Sequence, residues 1–190
     1  RLHHIVIAEV RSGKVVGSYR LQTASMADAF GGLYSAGEFD LAGVPEAVLR
    51  DGVEIGRACV DAEHRNGRVL HLLWRGLAAY LTWNRKGWLF GCCSVPGQDP
   101  AMGPFLHQRL MRAGYCEPEE RVRPRAGMSC PPEAGFAPDG APCIPPLFQS
   151  YLTLGARVLG PPALDEAFGT IDFFVVLHVE ALDSRIRNMY

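Results

Sequence analysis

Between residues 53 and 81 the hydrophobic pattern changes from that of a strand to that of a helix. Val53–Val60 is apolar or small at most positions and predicts a buried strand, which carries Glu54 and Arg57. A polar loop follows at Asp61–Gly67. From Gly67 to Arg85 apolar residues recur every three to four positions, which predicts an amphipathic helix. Its core face would hold Val69, Leu70, Leu73, Leu77 and Leu81.

Three further stretches have the pattern of strands. His3–Val10 and Val15–Gln22 flank a Ser-Gly-Lys turn and predict a hairpin. Trp88–Ser94 predicts a short buried strand. Ile171–Val179, apolar except for Asp172 and His178, predicts a central strand.

The remaining segments predict two helices and two irregular stretches. One helix starts at Asp99-Pro100 and continues to Gly114, and the other runs from Leu147 to Val158. Ala24–Gly52 is expected to be a long irregular connection. Cys116–Pro146 holds eight of the fourteen prolines and is expected to be a surface excursion without regular structure.

The composition is that of a globular domain. The 190 residues are 48% hydrophobic and 21% charged, with a net charge of −1, and predict one mixed α/β domain over residues 1–190. Residues 57–125 hold eleven Lys/Arg against six Asp/Glu, whereas residues 126–190 hold three against seven. A basic middle suits an acidic protein partner or an anionic membrane surface, although most of these arginines would simply be solvated. We expect no nucleic-acid partner.

The six cysteines predict neither a disulfide framework nor a metal site. Cys92 and Cys93 are adjacent, the other four are scattered, and no CxxC pair exists. The sequence has no apolar run long enough to span a membrane. Reduced thiols in a cytoplasmic protein and no bound metal are therefore expected.

Six segments in one order resemble the ornithine N-acyltransferase family of the GNAT acyltransferase superfamily, whose members often carry the label "hemolysin". They are VVGSYRL (Val15–Leu21), YSAGEFDL (Tyr34–Leu41), EIGRACV (Glu54–Val60), HRNGRVLHLLWRGLAAYL (His64–Leu81), LFGCCSVPGQDP (Leu89–Pro100) and FGTIDFFVVLHVEAL (Phe168–Leu182). The Glu-x-x-Arg pattern also resembles acyl-homoserine-lactone synthases. The resemblance implies a GNAT fold whose first strand and two helices would precede Arg1.

The activity implied by the resemblance is transfer of a long, 3-hydroxylated acyl chain from acyl carrier protein to the α-amine of ornithine. The product would be a lyso-ornithine lipid, so the enzyme would act in the cytoplasm at the inner-membrane surface. The co-substrate would be an acyl-phosphopantetheine thioester on acyl carrier protein or coenzyme A, with no tightly bound cofactor. Two alternatives stay open: another amino acid or a homoserine-lactone precursor as acceptor, and a non-catalytic lipid- or partner-binding module.

Three charged side chains are the catalytic candidates. Glu54 would take the proton of the attacking amine, and Arg20 would hold the acceptor's carboxylate. Arg57 could take part in proton transfer or bind the carboxylate. The alternative is that the three charged groups only form ion pairs with one another. Strand alternation places Glu54 and Arg57 on opposite faces unless a bulge intervenes, and Gly56 is the expected place for one.

The acceptor candidates precede Glu54 in the sequence, and the donor candidates follow it. The thioester and its phosphate arm would contact Cys59, Val60, Arg65, Asn66, Gly67, Arg68 and Val69. A turn with Gly and Arg that opens a helix suits an anionic phosphate. The loop has one glycine and so departs from the usual superfamily pattern. This departure favours acyl carrier protein as the donor over the conventional binding of acetyl-CoA. Glu38 and Asp40 would recognise a cationic acceptor, or would be a solvated loop edge with Asp40 as a cap.

Overall fold

The computed structural model describes residues 2–29, 31–131 and 143–182. Its contacts divide the chain into two compact units. The first comprises Arg1–Leu33, Ala47–Leu89 and Val179–Tyr190, and the second comprises Tyr34–Glu46 and Phe90–His178. The expectation of a single domain over residues 1–190 stays a prediction.

Strands and helices are both well represented in the described residues. The strands are β1 (His3–Ala8), β2 (Val15–Thr23), β3 (Phe39–Asp40), β4 (Gly52–Val60), β5 (Trp88–Pro96), β6 (Arg123–Pro124), β7 (Arg157–Val158), β8 (Ala163–Asp165) and β9 (Thr170–His178). The helices are α1 (Ala24–Ala29), α2 (Glu46–Arg50), α3 (Arg68–Asn84), α4 (Met102–Arg112) and α5 (Pro146–Thr153). This mixture confirms the predicted α/β class.

The first unit is built on an antiparallel sheet in the order β1-β2-β4. Helix α3 packs on one face of this sheet, with Val69 and Leu73 against Tyr19 of β2. The approach is close at Gly17, where an added Cβ would lie 2.5 Å from Val69 Cγ1 and 3.2 Å from Leu73 Cδ1. The predicted core face of this helix is confirmed, since Val69, Leu73, Leu77 and Leu81 are buried.

A β-bulge interrupts the pairing of β2 with β4. Ser18 pairs with Cys59 and Arg20 with Gly56, so two residues of β4 lie opposite Tyr19 alone. Arg57 has a φ of 51°, in the left-handed region that residues other than glycine seldom adopt. The bulge therefore lies in the predicted strand, one residue beyond the expected Gly56.

Ion pairs between charged side chains connect the β1–β2 turn with the loop that precedes α3. Asp61 lies at the centre of this network. Its carboxylate contacts Lys14 Nζ at 2.9 Å and His64 Nδ1 at 3.0 Å, and His64 Nε2 lies 3.3 Å from Glu9. The Asp61 carboxylate and then the Glu9 carboxylate raise the pKa of His64. The same hydrogen bonds, from His64 first and then Lys14, lower the pKa of Asp61.

The second unit has β9 at its centre. Strands β7 and β8 both pair antiparallel with β9, and β5 is its neighbour on the other side. Seven consecutive residues of β9, from Ile171 to Leu177, are buried, as the apolar run predicts. β3 and β6 form a separate antiparallel pair.

Several predicted segments differ in the structure. The stretch 24–52 is not irregular, because it holds α1, β3 and α2 and a 3-10 turn. The helix predicted from Leu147 to Val158 ends at Thr153, because Arg157 and Val158 pair with β9. The helix predicted from Asp99 begins at Met102, after a turn in which Asp99 Oδ1 accepts from the Ala101 N–H. In the Pro-rich stretch, Val122 is buried and residues 132–142 lie outside the described residues.

We expect Gly17→Ala to destabilise the protein, because the added methyl group would overlap Val69 in a packed core. Overpacking of this kind costs about 1–3 kcal/mol. Denaturant unfolding followed by circular dichroism would measure the effect. A midpoint equal to that of the unmodified protein would contradict the close packing of β2 against α3.

The His64 network predicts a pH-dependent stability. The folded-state pKa of His64 is raised, so its contribution is complete below the unfolded-state pKa near 6.5. It is lost as the pH rises through the folded-state pKa. We therefore expect His64→Gln to lower the unfolding midpoint at acidic pH and to have less effect at alkaline pH. A midpoint difference that grows with rising pH would contradict the network.

Candidate active site

Glu54 is a buried carboxylate in the middle of the three-stranded sheet. Only 1% of its surface is exposed. Gln22 lies opposite Glu54, and Arg20 lies opposite Gly56. Since alternate residues of a strand share a face, Glu54 and Arg20 lie on the same face as diagonal neighbours. Their opposite charges therefore share one face of the first unit's sheet.

A glycine at position 56 makes room for the Arg20 side chain. An added Cβ at Gly56 would lie 3.1 Å from Arg20 Nη2. The guanidinium group therefore lies over Gly56, two positions along the strand from Glu54. This proximity lets Arg20 either neutralise Glu54 or bind a carboxylate beside it.

Beyond Glu54 the strand is exposed. Arg57, Ala58 and Cys59 are all exposed, whereas residues 52–55 are all buried. Because consecutive residues face opposite sides, exposure at adjacent positions leaves both faces of this segment uncovered in the first unit. The bulge separates Arg57 from the regular pairing, and Cys59 returns to the ladder opposite Ser18.

The predicted donor loop, residues 65–69, opens α3. Gly67 is the N-cap residue with a φ of 87°, and the Asn66 Oδ1 accepts from the Arg68 N–H at 3.1 Å. The first intrahelical bond runs from the His71 N–H to the Gly67 carbonyl. The N–H groups of residues 69 and 70 precede it and have no carbonyl within the helix to bond. The loop thus presents the positive end of a helix dipole, as the sequence predicts.

Of the other residues predicted to contact the donor, some are exposed and some pack in the core. Arg65 is exposed and donates from Nε to the Val60 carbonyl at 3.1 Å, which fixes its side chain along the end of β4. Arg68 is exposed. Val69 is buried in the core and Val60 packs against the same cluster, so these two would offer only backbone groups to a donor.

The predicted acceptor residues Glu38 and Asp40 have different surroundings. Asp40 is exposed, and its Oδ1 accepts from the Ala42 N–H at 3.1 Å, as the cap interpretation predicts. Glu38 is buried with 5% of its surface exposed. Burial first, and the charge of Asp172 next, raise the pKa of Glu38 to about 7.

Glu38 belongs to a buried acidic cluster with Asp165 and Asp172. One carboxylate oxygen of each residue lies within 4.8 Å of the others. Asp165 is 7% exposed and Asp172 is 2% exposed. Burial raises the pKa of Asp172 as well, while the Ser94 and Thr170 hydroxyl groups favour its charged form. Three carboxyl groups packed this closely must hold a proton or a cation.

The sequence marks Asp172 as an exception in an apolar run, but it marks neither its place in the cluster nor Asp165. The usable signal was a carboxylate within the apolar run of β9, since a buried charge needs a partner. The sequence-based expectation that no metal is bound stays a prediction, because this cluster is itself a possible cation site.

Comparison of the whole sequence with known proteins finds relatives among acyltransferases. A family model described as an acetyltransferase (GNAT) domain matches residues 1–75. An L-ornithine N(alpha)-acyltransferase from Agrobacterium fabrum is 36% identical over 183 residues, which cover 93% of this chain and 62% of that protein. The enzyme of the same name from Rhodobacter capsulatus is 30% identical over 93% of this chain and 69% of its own length.

Solved structures are more distant. An aminoglycoside 6'-N-acetyltransferase complexed with coenzyme A has a TM-score of 0.47 and 10% identity, covering 93% of this chain and 73% of that chain. The acyl-homoserine-lactone synthase LasI has a TM-score of 0.48 and 12% identity, and the match covers 98% of this chain and 68% of LasI. Likeness at this level carries no weight for function.

The family assignment therefore comes from the sequence relatives. Their identity extends over nearly all of this chain, although the chain spans only 62% of the Agrobacterium protein. The Rhodobacter relative is covered over more than two thirds of its length at 30% identity. This chain belongs to the family of L-ornithine N(alpha)-acyltransferases.

Proposed function

We propose that this protein transfers a long, 3-hydroxylated fatty acyl chain from acyl carrier protein to the α-amine of L-ornithine. The product would be a lyso-ornithine lipid. Four relatives that carry the ornithine acyltransferase name support this proposal. The structural observation on which it rests is the buried Glu54 beside Arg20 on one face of the sheet.

The chemistry is aminolysis of a thioester. The ornithine α-amine attacks the acyl carbonyl carbon, a C–N bond forms, the C–S bond breaks, and the phosphopantetheine thiol leaves. An amino acid's α-amine is largely protonated at neutral pH, so a base must remove one proton before attack. Glu54 would accept that proton, directly or through a water molecule, and Arg20 would bind the ornithine carboxylate.

The uncovered segment Arg57–Cys59 suits the thioester end of the donor. Backbone N–H groups near Cys59 and Val60 would stabilise the developing oxyanion. Arg57, held at the bulge and exposed, would contact the acceptor or the donor at the same point. The unusual φ of Arg57 fits a role in ligand contact, since backbone strain of this kind concentrates at functional sites.

The donor loop suits the phosphate of the phosphopantetheine arm. Arg65 and Arg68 are exposed on both sides of Gly67, at the positive end of α3. One phosphate on a carrier protein needs fewer contacts than the pyrophosphate of coenzyme A, which fits the single glycine of the loop. The basic excess of residues 57–125 would attract an acidic carrier protein.

We propose action at the inner face of the membrane because the acylated product is a lipid. No helix in the described part of the chain has the length and apolar character of a membrane span. We propose that the protein attaches to the membrane peripherally, through its lipid product and its basic surface.

The proposed reaction can be tested by supplying 3-hydroxyacyl carrier protein with a panel of amino acids and identifying products by mass spectrometry. We expect N-acylornithine to dominate. Preferred acylation of glycine or of a homoserine-lactone precursor would replace the acceptor in this proposal. Absence of any acylated product with the full-length protein would favour the non-catalytic alternative.

We expect Glu54→Gln to lower kcat by about 10²-fold, since the amide keeps the shape of the side chain but cannot take a proton. Stopped assays of N-acylornithine at saturating ornithine and neutral pH would measure it. Glu63→Gln is the matched control, because Glu63 is exposed in the loop after β4. Unchanged turnover in Glu54→Gln would make Glu54 structural.

We expect Arg68→Ala to raise KM for acyl carrier protein and to weaken the dependence of kcat/KM on salt. Removing one positive charge reduces the long-range attraction that salt screens. Arg75→Ala is the control, since Arg75 is exposed on the same helix two turns later. Salt dependence that is the same in both variants would exclude the donor loop as the carrier-protein contact.

A further inference from the structure

The buried acidic cluster of the second unit is built by the β8–β9 hairpin and the segment before β3. Asp172 pairs with Ala163, and Asp165 follows two positions later on β8. Paired residues and alternate residues of antiparallel strands share a face, so Asp165 and Asp172 are diagonal neighbours on one face of the hairpin. Glu38 joins them from the segment before β3, where its carbonyl accepts from the Arg125 N–H at 2.7 Å. Backbone hydrogen bonds therefore hold all three residues in place.

Three buried oxygen atoms of the cluster have no donor of good hydrogen-bond geometry in the part of the chain that the structure describes. They are Glu38 Oε1, Glu38 Oε2 and Asp172 Oδ1. The side chains that carry them are more than nine-tenths buried. Tyr34 and Cys92 lie close enough to favour a charged Glu38, but burial has the larger effect and raises the pKa of Glu38. Buried acceptors without donors cost free energy, so these oxygen atoms need a positive partner.

One shared proton does not balance the charge of this cluster. The charges that act on Glu38 are those of Asp172 and Asp165, and both are negative. A proton shared between Glu38 and Asp172 would leave two of the three carboxyl groups ionised in a buried site. Buried charges of one sign are costly unless an opposite charge lies close to them. A divalent cation would supply two positive charges at this point.

The spacing of the oxygen atoms suits a calcium ion. One carboxylate oxygen of each residue lies within 4.8 Å of the others. Calcium binds oxygen at about 2.3–2.6 Å, so ligands on opposite sides of one ion lie about 4.6–5.2 Å apart and adjacent ligands lie closer. One ion can therefore contact all three side chains, and both open oxygens of Glu38 suit the bidentate contact that calcium accepts. Magnesium keeps several water molecules and usually takes only one or two carboxylates, so three buried carboxylates favour calcium.

Ser94 of β5 connects the cluster with solvent. Ser94 is exposed, and its hydroxyl group favours the charged form of Asp172. An ion can therefore approach the cluster from the side of Ser94 and keep water molecules there. These water molecules would complete the set of about six to eight oxygen ligands that calcium requires.

We propose that Glu38, Asp165 and Asp172 bind one calcium ion, which stabilises the second unit. The ion would connect strands β8 and β9 with the segment before β3. This inference is independent of the proposed transferase reaction, which uses residues of the first unit. It gives Glu38 a role other than the acceptor recognition expected from the sequence, and it departs from the expectation that no metal is bound.

The test is thermal unfolding of the full-length protein after its metal has been removed with EDTA. The buffer is kept at about pH 8, above the pKa of about 7 of Glu38, and calcium chloride or magnesium chloride is then added. At about a hundred times its Kd, calcium should raise the unfolding midpoint by about 5–10 °C, because the ion binds only the folded state. Equilibrium dialysis should find one calcium ion per chain.

Two variants with a matched control locate the ion. Asp172→Asn and Glu38→Gln should each lower the calcium affinity by about 10²-fold or more and lose the rise in midpoint, since each removes a charged ligand. Glu166→Gln is the control, because Glu166 is exposed beside Asp165, and it should keep the rise. Without calcium, Asp172→Asn should unfold at the midpoint of the unmodified protein or above it, because one of three repelling charges is gone. This comparison separates a lost ion from a lost fold.

Three outcomes would overturn the inference. A midpoint that calcium does not change in the unmodified protein would mean that the cluster holds only protons. A rise of the same size in Asp172→Asn would place the calcium ion elsewhere on the protein. A rise that magnesium produces equally well would contradict the assignment to calcium.

Discussion

The burial of Glu54 is the constraint on which the rest of the first unit depends. A carboxylate with 1% exposure in the middle of a sheet is stable only with compensating partners. The register supplies them by placing Gln22 opposite Glu54 and Arg20 on the same face. Gly56 gives Arg20 its space, and helix α3 lies on the opposite face. At and beyond the bulge, Arg57, Ala58 and Cys59 are exposed, although Cys59 still pairs with Ser18. A buried carboxylate, the guanidinium group of Arg20 and an exposed strand segment are thus neighbours on this sheet.

The proposed reaction rests on residues of the first unit alone. There Glu54 and Arg20 would serve the α-amine and α-carboxylate, which every amino acid has. The second unit has its own group of buried carboxyl groups, those of Glu38, Asp165 and Asp172. In the described residues every buried charged side chain is thus a carboxylate.

Local patterns predicted the parts of the fold that depend on neighbouring residues. The core face of α3 and the β1–β2 hairpin follow from periodicity over a few turns, and both are confirmed. The strand β7 was missed because Arg157 and Val158 have helical spacing, whereas pairing with β9 decides their structure. Asp172 could be noticed but not interpreted, since Glu38 and Asp165 come from distant positions in the sequence. Long-range pairing of this kind leaves no periodic signal.

The site of acylation on ornithine tests the central claim most directly. Ornithine labelled with ¹⁵N at the δ position can be acylated by the full-length protein with 3-hydroxyacyl carrier protein as the donor. Fragmentation of the product in a mass spectrometer then shows which nitrogen carries the acyl group. If Arg20 binds the carboxylate of ornithine and Glu54 deprotonates the α-amine, the acyl group will be on the unlabelled nitrogen. An acyl group on the ¹⁵N-labelled nitrogen would contradict this assignment of Arg20 and Glu54.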